Sequence, residues 1–123
     1  MARIMVKRVY EPPAAADGQR ILVDRVWPRG MTKEAAHVAA WMRDVAPSSE
    51  LRRWFGHDPA RWDEFRRRYQ DELAQAPQAL APLLAAARAG PLTLVYSARD
   101  EQHNQAVALK EFLEQRLGDG TAV

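Results

Sequence analysis

Ser97, Arg99, Asp100, His103 and Asn104 follow directly on the apolar run Leu92 to Tyr96. A hydroxyl, a guanidinium, a carboxylate, an imidazole and an amide therefore share one short stretch, LTLVYSARDEQHN. The apolar run reads as a strand, and the residues after it open a helix. The first N–H groups of a helix have no partner inside it, so a strand that empties into a helix N-terminus is suited to bind an anion. His103, in the first helical turn, would serve as acid, base or orienting group.

Two other stretches carry groups of the same kind. Asp24, Arg25, Trp27 and Arg29 close the apolar run that begins at Ile21, and Arg8 and Tyr10 close the one that begins at Ile4. In open parallel sheets, ligands bind beyond the carboxyl ends of the strands. If these runs are parallel strands, their polar ends converge on one edge. The candidate site is then His103 and Asp24 as catalytic groups, with Arg8, Arg25, Trp27, Arg29, Ser97, Arg99 and Asn104 as ligand-binding groups. Guanidinium groups hold phosphate or carboxylate through paired hydrogen bonds, so the expected partner is a small anion.

Each of these residues also has a structural role open to it. Asp24 and Arg25 are adjacent in a strand and face opposite sides, so each is expected to have its own partner. A strand-end arginine can satisfy a helix C-terminus, Trp27 can be core, and Ser97 or Asp100 can cap the last helix, with Asp100 the better cap. His57, between Gly56 and Asp58, reads as part of a tight turn.

Other chemistries find no support. Cysteine is absent, which removes disulfides, thiolate catalysis and cysteine metal sites. His37, His57 and His103 do not fall at a metal-ligand spacing, so no metal is expected. No Gly-x-Ser-x-Gly elbow surrounds Ser97, and neither a Walker A loop nor a G-x-G-x-x-G motif occurs, so no cofactor is expected. Arg66, Arg67 and Arg68 project about 100° apart on a helix and form no stripe for nucleic acid.

The elements that must position these groups are legible in outline. The 123 residues fit a single α/β domain spanning 1–123, with a flexible tail from about residue 118. Apolar residues make up 47% and charged residues 28%, ordinary for a soluble protein. The N-terminus lacks a signal core and no run approaches membrane-spanning length, so a cytoplasmic location is expected. Residues 1–70 carry 14 Lys+Arg against 9 Asp+Glu, and residues 71–123 carry 4 against 7. The first part is thus basic and the second acidic, although the whole chain is only +2.

Strands are predicted over Ile4 to Val9, Ile21 to Val26 and Leu92 to Tyr96. Pro12-Pro13 and Asp17-Gly18 mark a loop between the first two. Thr32 caps a helix predicted from about Lys33 to Val45. Ser48 or Ser49 caps a short helix ended by Gly56, and Asp58-Pro59 opens the next. In that helix Trp62, Phe65, Tyr69 and Leu73 form one apolar stripe. Pro77 begins another helix, closed by Gly90, and the last helix runs from about Glu101 to Leu117. The order predicts a small, mainly parallel three-stranded sheet flanked by helices, with a helix-rich middle section. The first two strands could instead form an antiparallel, hairpin-like pair.

Four segments carry a resemblance: Arg20 to Gly30 (RILVDRVWPRG), Asp44 to Ser48 (DVAPS), Arg53 to Pro59 (RWFGHDP), and Tyr96 to Asp100 (YSARD) with His103-Asn104. Together they resemble the YeaO-like family of small bacterial proteins of unknown function, from Val6 to about Leu117. The resemblance implies one α/β domain in a cytoplasmic bacterial protein and no established activity. Longer relatives in the wider superfamily are similar in having a cysteine and a His-Arg pair after the last strand. Here Ser97 and His103-Asn104 take those places, so thiol chemistry does not carry over. Some members are labelled winged-helix transcriptional regulators, but the recognition helix and wing hairpin are missing from this chain.

The leading expectation is a small-molecule anion-binding protein, with or without a reaction, and with oligomeric state open. The alternative is an interaction or regulatory module using the middle helices. Nucleic-acid binding ranks last. It would require affinity that falls steeply with salt, and the expected outcome of a gel-mobility assay at low salt is no shift with either DNA or RNA.

Overall fold

The computed structural model describes residues 3–121, the last three by backbone alone. Four strands form one sheet: β1 (Ile4–Arg8), β2 (Gln19–Leu22), β3 (Ala40–Trp41) and β4 (Leu92–Tyr96). The helices are α1 (Lys33–Ala36), α2 (Ser49–Phe55), α3 (Trp62–Ala74), α4 (Pro77–Ala89) and α5 (Gln105–Thr121). The sheet order is β1-β4-β2-β3 and every pairing is parallel. Ile4 pairs with Leu92 and Arg8 with Tyr96, while on the other side Gln19 pairs with Leu92 and Leu22 with Val95. The last strand in sequence is thus the strand between β1 and β2, and all five of its residues are buried.

The α/β class and parallel sheet agree with the expectation, and the count rises from three strands to four. The hairpin alternative does not hold, because β4 separates β1 from β2. The expected tail from residue 118 falls largely outside the residues whose side chains are described.

Alternation along the strands divides the core in two. Ile21, Val23, Leu92, Leu94 and Tyr96 face the larger cluster, built with Phe65, Tyr69, Leu73, Leu83, Leu109 and Leu113. Leu22 and Val95 face the opposite side, against Val9, Ala36, Trp27, Met31 and Trp41. The stripe predicted on α3 is buried as a unit, and Phe55 of α2 stacks on Phe65 at 4.2 Å between ring centroids. Burying an aromatic or leucine side chain contributes roughly 2 kcal/mol, so these two clusters supply most of the force holding helices to sheet.

The helix expected over 33–45 stops after Ala36. Thr32 caps it as predicted, accepting from the Ala35 N–H at 3.0 Å. Its other end is taken by Arg20, whose guanidinium donates to the Ala36 carbonyl at 2.8 Å and the His37 carbonyl at 3.1 Å. His37 then turns into the left-handed region, at φ 50°. The chain leaves extended and Ala40–Trp41 adds to the edge of β2. The pattern from Lys33 to Val45 is compatible with a helix, but a buried cation from another strand supplies a stronger stop.

Arg20 is 3% exposed, and its charge is matched by Asp17 at 2.8 Å. Lys7 reaches the same carboxylate at 3.2 Å. Gly18, at φ 63°, lets the backbone pass Pro91, where a Cβ would lie 2.3 Å from the carbonyl oxygen. Removing one partner of a buried ion pair costs about 3–5 kcal/mol. Arg20→Ala is therefore expected to lower unfolding stability by about 3 kcal/mol or more, measured by urea denaturation. A loss no larger than that of an exposed arginine such as Arg67 would refute this account of how α1 ends.

Candidate functional site

A cavity of about 760 Å³ opens beyond the carboxyl ends of β2 and β4. The residues after β2 (Asp24, Arg25, Val26) form one side and those after β4 (Ser97 to Asp100) another. Arg52, Arg53 and Phe55 of α2 with His57 close a third, and Asn104 and Gln105 at the start of α5 complete it.

Asp24 organises this junction. Its carboxylate is 7% exposed and accepts from the Ser97 hydroxyl at 2.5 Å and from the Gln105 side-chain amide. Its backbone carbonyl accepts from the Trp41 indole at 2.7 Å. One residue thus ties the ends of β2, β3 and β4 to the start of α5. Burial pushes the Asp24 carboxyl above its ordinary range, opposed by the hydrogen bonds from Ser97 and Gln105 and the charge of Arg52.

The α5 start differs from expectation. Asp100 accepts from the N–H groups of Gln102 at 2.9 Å and His103 at 3.0 Å, closing a turn ahead of the helix. The cap of α5 itself is Asn104, whose side-chain oxygen accepts from Val107 N–H at 3.1 Å and whose amide donates to the Asp100 carbonyl. The free backbone donors expected after β4 are therefore partly consumed by the protein's own side chains. These backbone hydrogen bonds, with that to the His103 ring, hold the Asp100 carboxyl below its ordinary range.

Of the nine residues singled out in the sequence, Asp24, Arg25, Ser97, Arg99 and Asn104 line the cavity. Arg25 does so while anchored, donating to the carbonyls of Pro47 at 3.1 Å and Ala46 at 3.3 Å. Arg8, Trp27, Arg29 and His103 lie elsewhere. Arg8 donates to the Ala98 and Ser97 carbonyls at 2.9 and 3.3 Å, holding the loop after β4 from behind. Trp27 packs edge-on against Trp41 in the smaller core cluster, its indole donating to the Met31 carbonyl. Arg29 is exposed and contributes its backbone carbonyl to the Tyr10 hydroxyl. His103 meets Asp100 at 2.9 Å and packs edge-on against Trp62.

Arg52, Arg53 and His57 were not anticipated. They belong to LRRWFGHDP, where α2 ends at Gly56 (φ 55°) and His57 continues in the left-handed region at φ 57°. The motif announces the turn, but its lining of the cavity depends on how α2 docks. Arg52, Arg53 and Arg99 make no side-chain hydrogen bond or ion pair with the described residues. The arginines of α3 contrast with them: Arg66 pairs with Asp63 and Glu111, and Arg67 and Arg68 with Glu64. Among the described residues no group of three or more acidic, histidine or cysteine side chains is placed to hold a metal ion, and no helix is long and apolar enough to cross a membrane.

A family model described as the inactive DUF488-N3 subclade matches residues 3–122. The chain belongs to that subclade. It is also similar to the uncharacterized protein YeaO of Escherichia coli (strain K12), 43% identical over 110 residues, which are 89% of this chain and 96% of YeaO. The uncharacterized protein Rv3073c of Mycobacterium tuberculosis (strain ATCC 25618 / H37Rv) is 45% identical over 114 residues, 93% of this chain and 96% of that one. No solved structure matches. The YeaO-like resemblance read from the motifs is thus borne out. In this member of the subclade the hydroxyl after β4 is engaged with Asp24, and the histidine of that loop packs outside the cavity.

Asp24 yields a pH prediction. Its folded pKa is raised, so the folded state holds this proton more tightly than the unfolded chain does. Its contribution to stability is then largest below the unfolded carboxyl pKa of about 3.9 and falls as pH rises through the folded value. Asp24→Asn removes that titration, and the Gln105 amide can turn to accept from the new side chain. The stability of wild type relative to Asp24→Asn is expected to fall as pH rises above about 4, measured by urea denaturation across pH. A difference that rises with pH would show that the hydrogen bonds outweigh burial.

Proposed function

We propose that this protein binds a small phosphate- or carboxylate-bearing molecule in the cavity beyond β2 and β4, and holds it without transforming it. The observation that carries this reading is the set of guanidinium groups that make no hydrogen bond or ion pair among the described residues, Arg52, Arg53 and Arg99, on the lining of one cavity, with Arg52 acting on Asp24 through charge alone. Elsewhere the arginines on the outer face of α3 are matched by carboxylates. An unmatched cluster around a concavity raises the local concentration of anions and offers forked donors to them.

Binding without turnover is supported by how Ser97, Asp24 and His103 are used. The Ser97 hydroxyl donates to Asp24, and Asp24 is enclosed by its own donors. His103, the acid–base candidate of the sequence, is engaged with Asp100 and Trp62 and lies outside the cavity lining. The subclade's description as inactive agrees with a site whose Ser97 hydroxyl and Asp24 carboxylate are bonded to each other, while the His57 imidazole on the lining contacts the Phe55 ring. The oxygens of the bound anion would meet Arg52, Arg53 and Arg99, while Arg25, held by the Ala46 and Pro47 carbonyls, would shape the wall.

The test is a thermal-shift panel of phosphate monoesters and small carboxylates. A ligand at ten times its Kd stabilises by about 1.4 kcal/mol and raises Tm by about 5 °C. Wild type and Arg67→Ala are expected to respond alike, and Arg53→Ala and Arg99→Ala to lose the response. Arg25→Ala is the poorer probe, since it also frees two backbone carbonyls. A panel in which no anion shifts wild type would rule the reading out.

A further inference from the structure

We infer that the ligand of this cavity is a dianionic phosphate monoester carrying a small apolar body, rather than a carboxylate or free inorganic phosphate; this rests on the anion-binding reading above. Two observations point to it. The first is charge. The cavity lining holds four arginines, Arg25, Arg52, Arg53 and Arg99, against two aspartates, Asp24 and Asp100. That leaves a balance of +2 with both aspartates ionised. Asp100 is held in its ionised form by the N–H groups of Gln102 and His103. A phosphate monoester carries a charge of about −1.5 to −2 at pH 7, whereas a carboxylate carries one negative charge. Only the former matches the surplus.

The second observation is size and surface. A volume of about 760 Å³ lies within the range of small-molecule sites, roughly 300–1,000 Å³, and far exceeds one phosphate group. Six of the ten other lining residues are apolar, Val26, Ala46, Pro47, Phe55, Phe65 and Ala98, beside the polar His57, Ser97, Asn104 and Gln105. Val26 is 63% exposed, unusual for a valine beside a buried core, and it stands at this lining. An apolar body beside the phosphate would cover that surface, and such burial contributes roughly 25 cal/mol per Å². Inorganic phosphate would leave it wet. A guanidinium pair also matches the multiple oxygens of a phosphate through forked hydrogen bonds, which one carboxylate satisfies with a single fork.

The decisive experiment is calorimetric titration at pH 7.5 with four probes: phenyl phosphate, its monoanionic methyl diester, benzoate and inorganic phosphate. Phenyl phosphate is expected to bind about tenfold or more tightly than each of the others. Arg53→Ala and Arg99→Ala, both exposed and unpaired, are expected to weaken it about tenfold while leaving the fold intact; Arg67→Ala is expected to leave it unchanged. If benzoate or the diester binds as well as phenyl phosphate, the dianion inference is overturned and the broader anion-binding reading survives. If inorganic phosphate binds as well, the apolar body is overturned. If none of the four binds, the inference falls together with the reading on which it rests.

Discussion

The buried carboxylate of Asp24 is the interaction on which the arrangement of the cavity depends. It lies just past β2, receives the Ser97 hydroxyl from the end of β4 and the Gln105 amide from the first turn of α5, and offers its backbone carbonyl to Trp41 of β3. These segments are distant in sequence and meet at one point. A buried carboxylate is costly without donors, so the geometry of those donors is constrained. The loop after β4 is thereby held in place from the cavity side, while Arg8 holds its Ser97 and Ala98 carbonyls from the other.

A second buried charge does comparable work at the opposite end of β2. Arg20 and Asp17 form an ion pair on the sheet face away from α3 and α5, and the same guanidinium donates to the Ala36 and His37 carbonyls at the end of α1. This explains why the chain needs only a four-residue helix between β2 and β3. It also explains why β3 exists: once α1 is stopped, the Ala39 N–H donates to the Arg20 carbonyl and the Met42 N–H to the Leu22 carbonyl, pairing the new strand with β2. One long cationic side chain therefore decides both a helix end and the edge of the sheet.

The cavity draws its character from residues that these networks leave unused. Most polar side chains near the strand ends are committed: Arg8, Arg25, Asp24, Ser97 and Asn104 all bond to the protein itself. On the cavity lining, Arg52, Arg53 and Arg99 make no side-chain hydrogen bond or ion pair among the described residues. The acid and hydroxyl at the strand ends are thus bonded to each other, and the guanidinium groups of α2 and of the loop after β4 are left facing the cavity.

Local chemistry determined much of this in the sequence alone. Thr32, Ser48, Gly56 and Asp58-Pro59 mark helix ends that the structure keeps, because caps and left-handed turns act within a few residues. The strand of Leu92 to Tyr96 and the stripe Trp62, Phe65, Tyr69 and Leu73 follow from apolar runs and periodicity. Parallel strands bring their carboxyl ends together, so Asp24, Arg25, Ser97, Arg99 and Asn104 line one cavity. Tertiary structure decided the rest. The stop after Ala36 needed Arg20 from another strand, and the cap of α5 passed to Asn104 once Asp100 had closed its own turn. Arg52, Arg53 and His57 entered the cavity, and Arg8, Trp27, Arg29 and His103 stayed out of it, because the docking of helices and loops on the sheet sets where side chains point. Periodicity identifies the buried face of a helix, but which polar groups meet across distant segments depends on the long-range packing that the folded chain alone supplies.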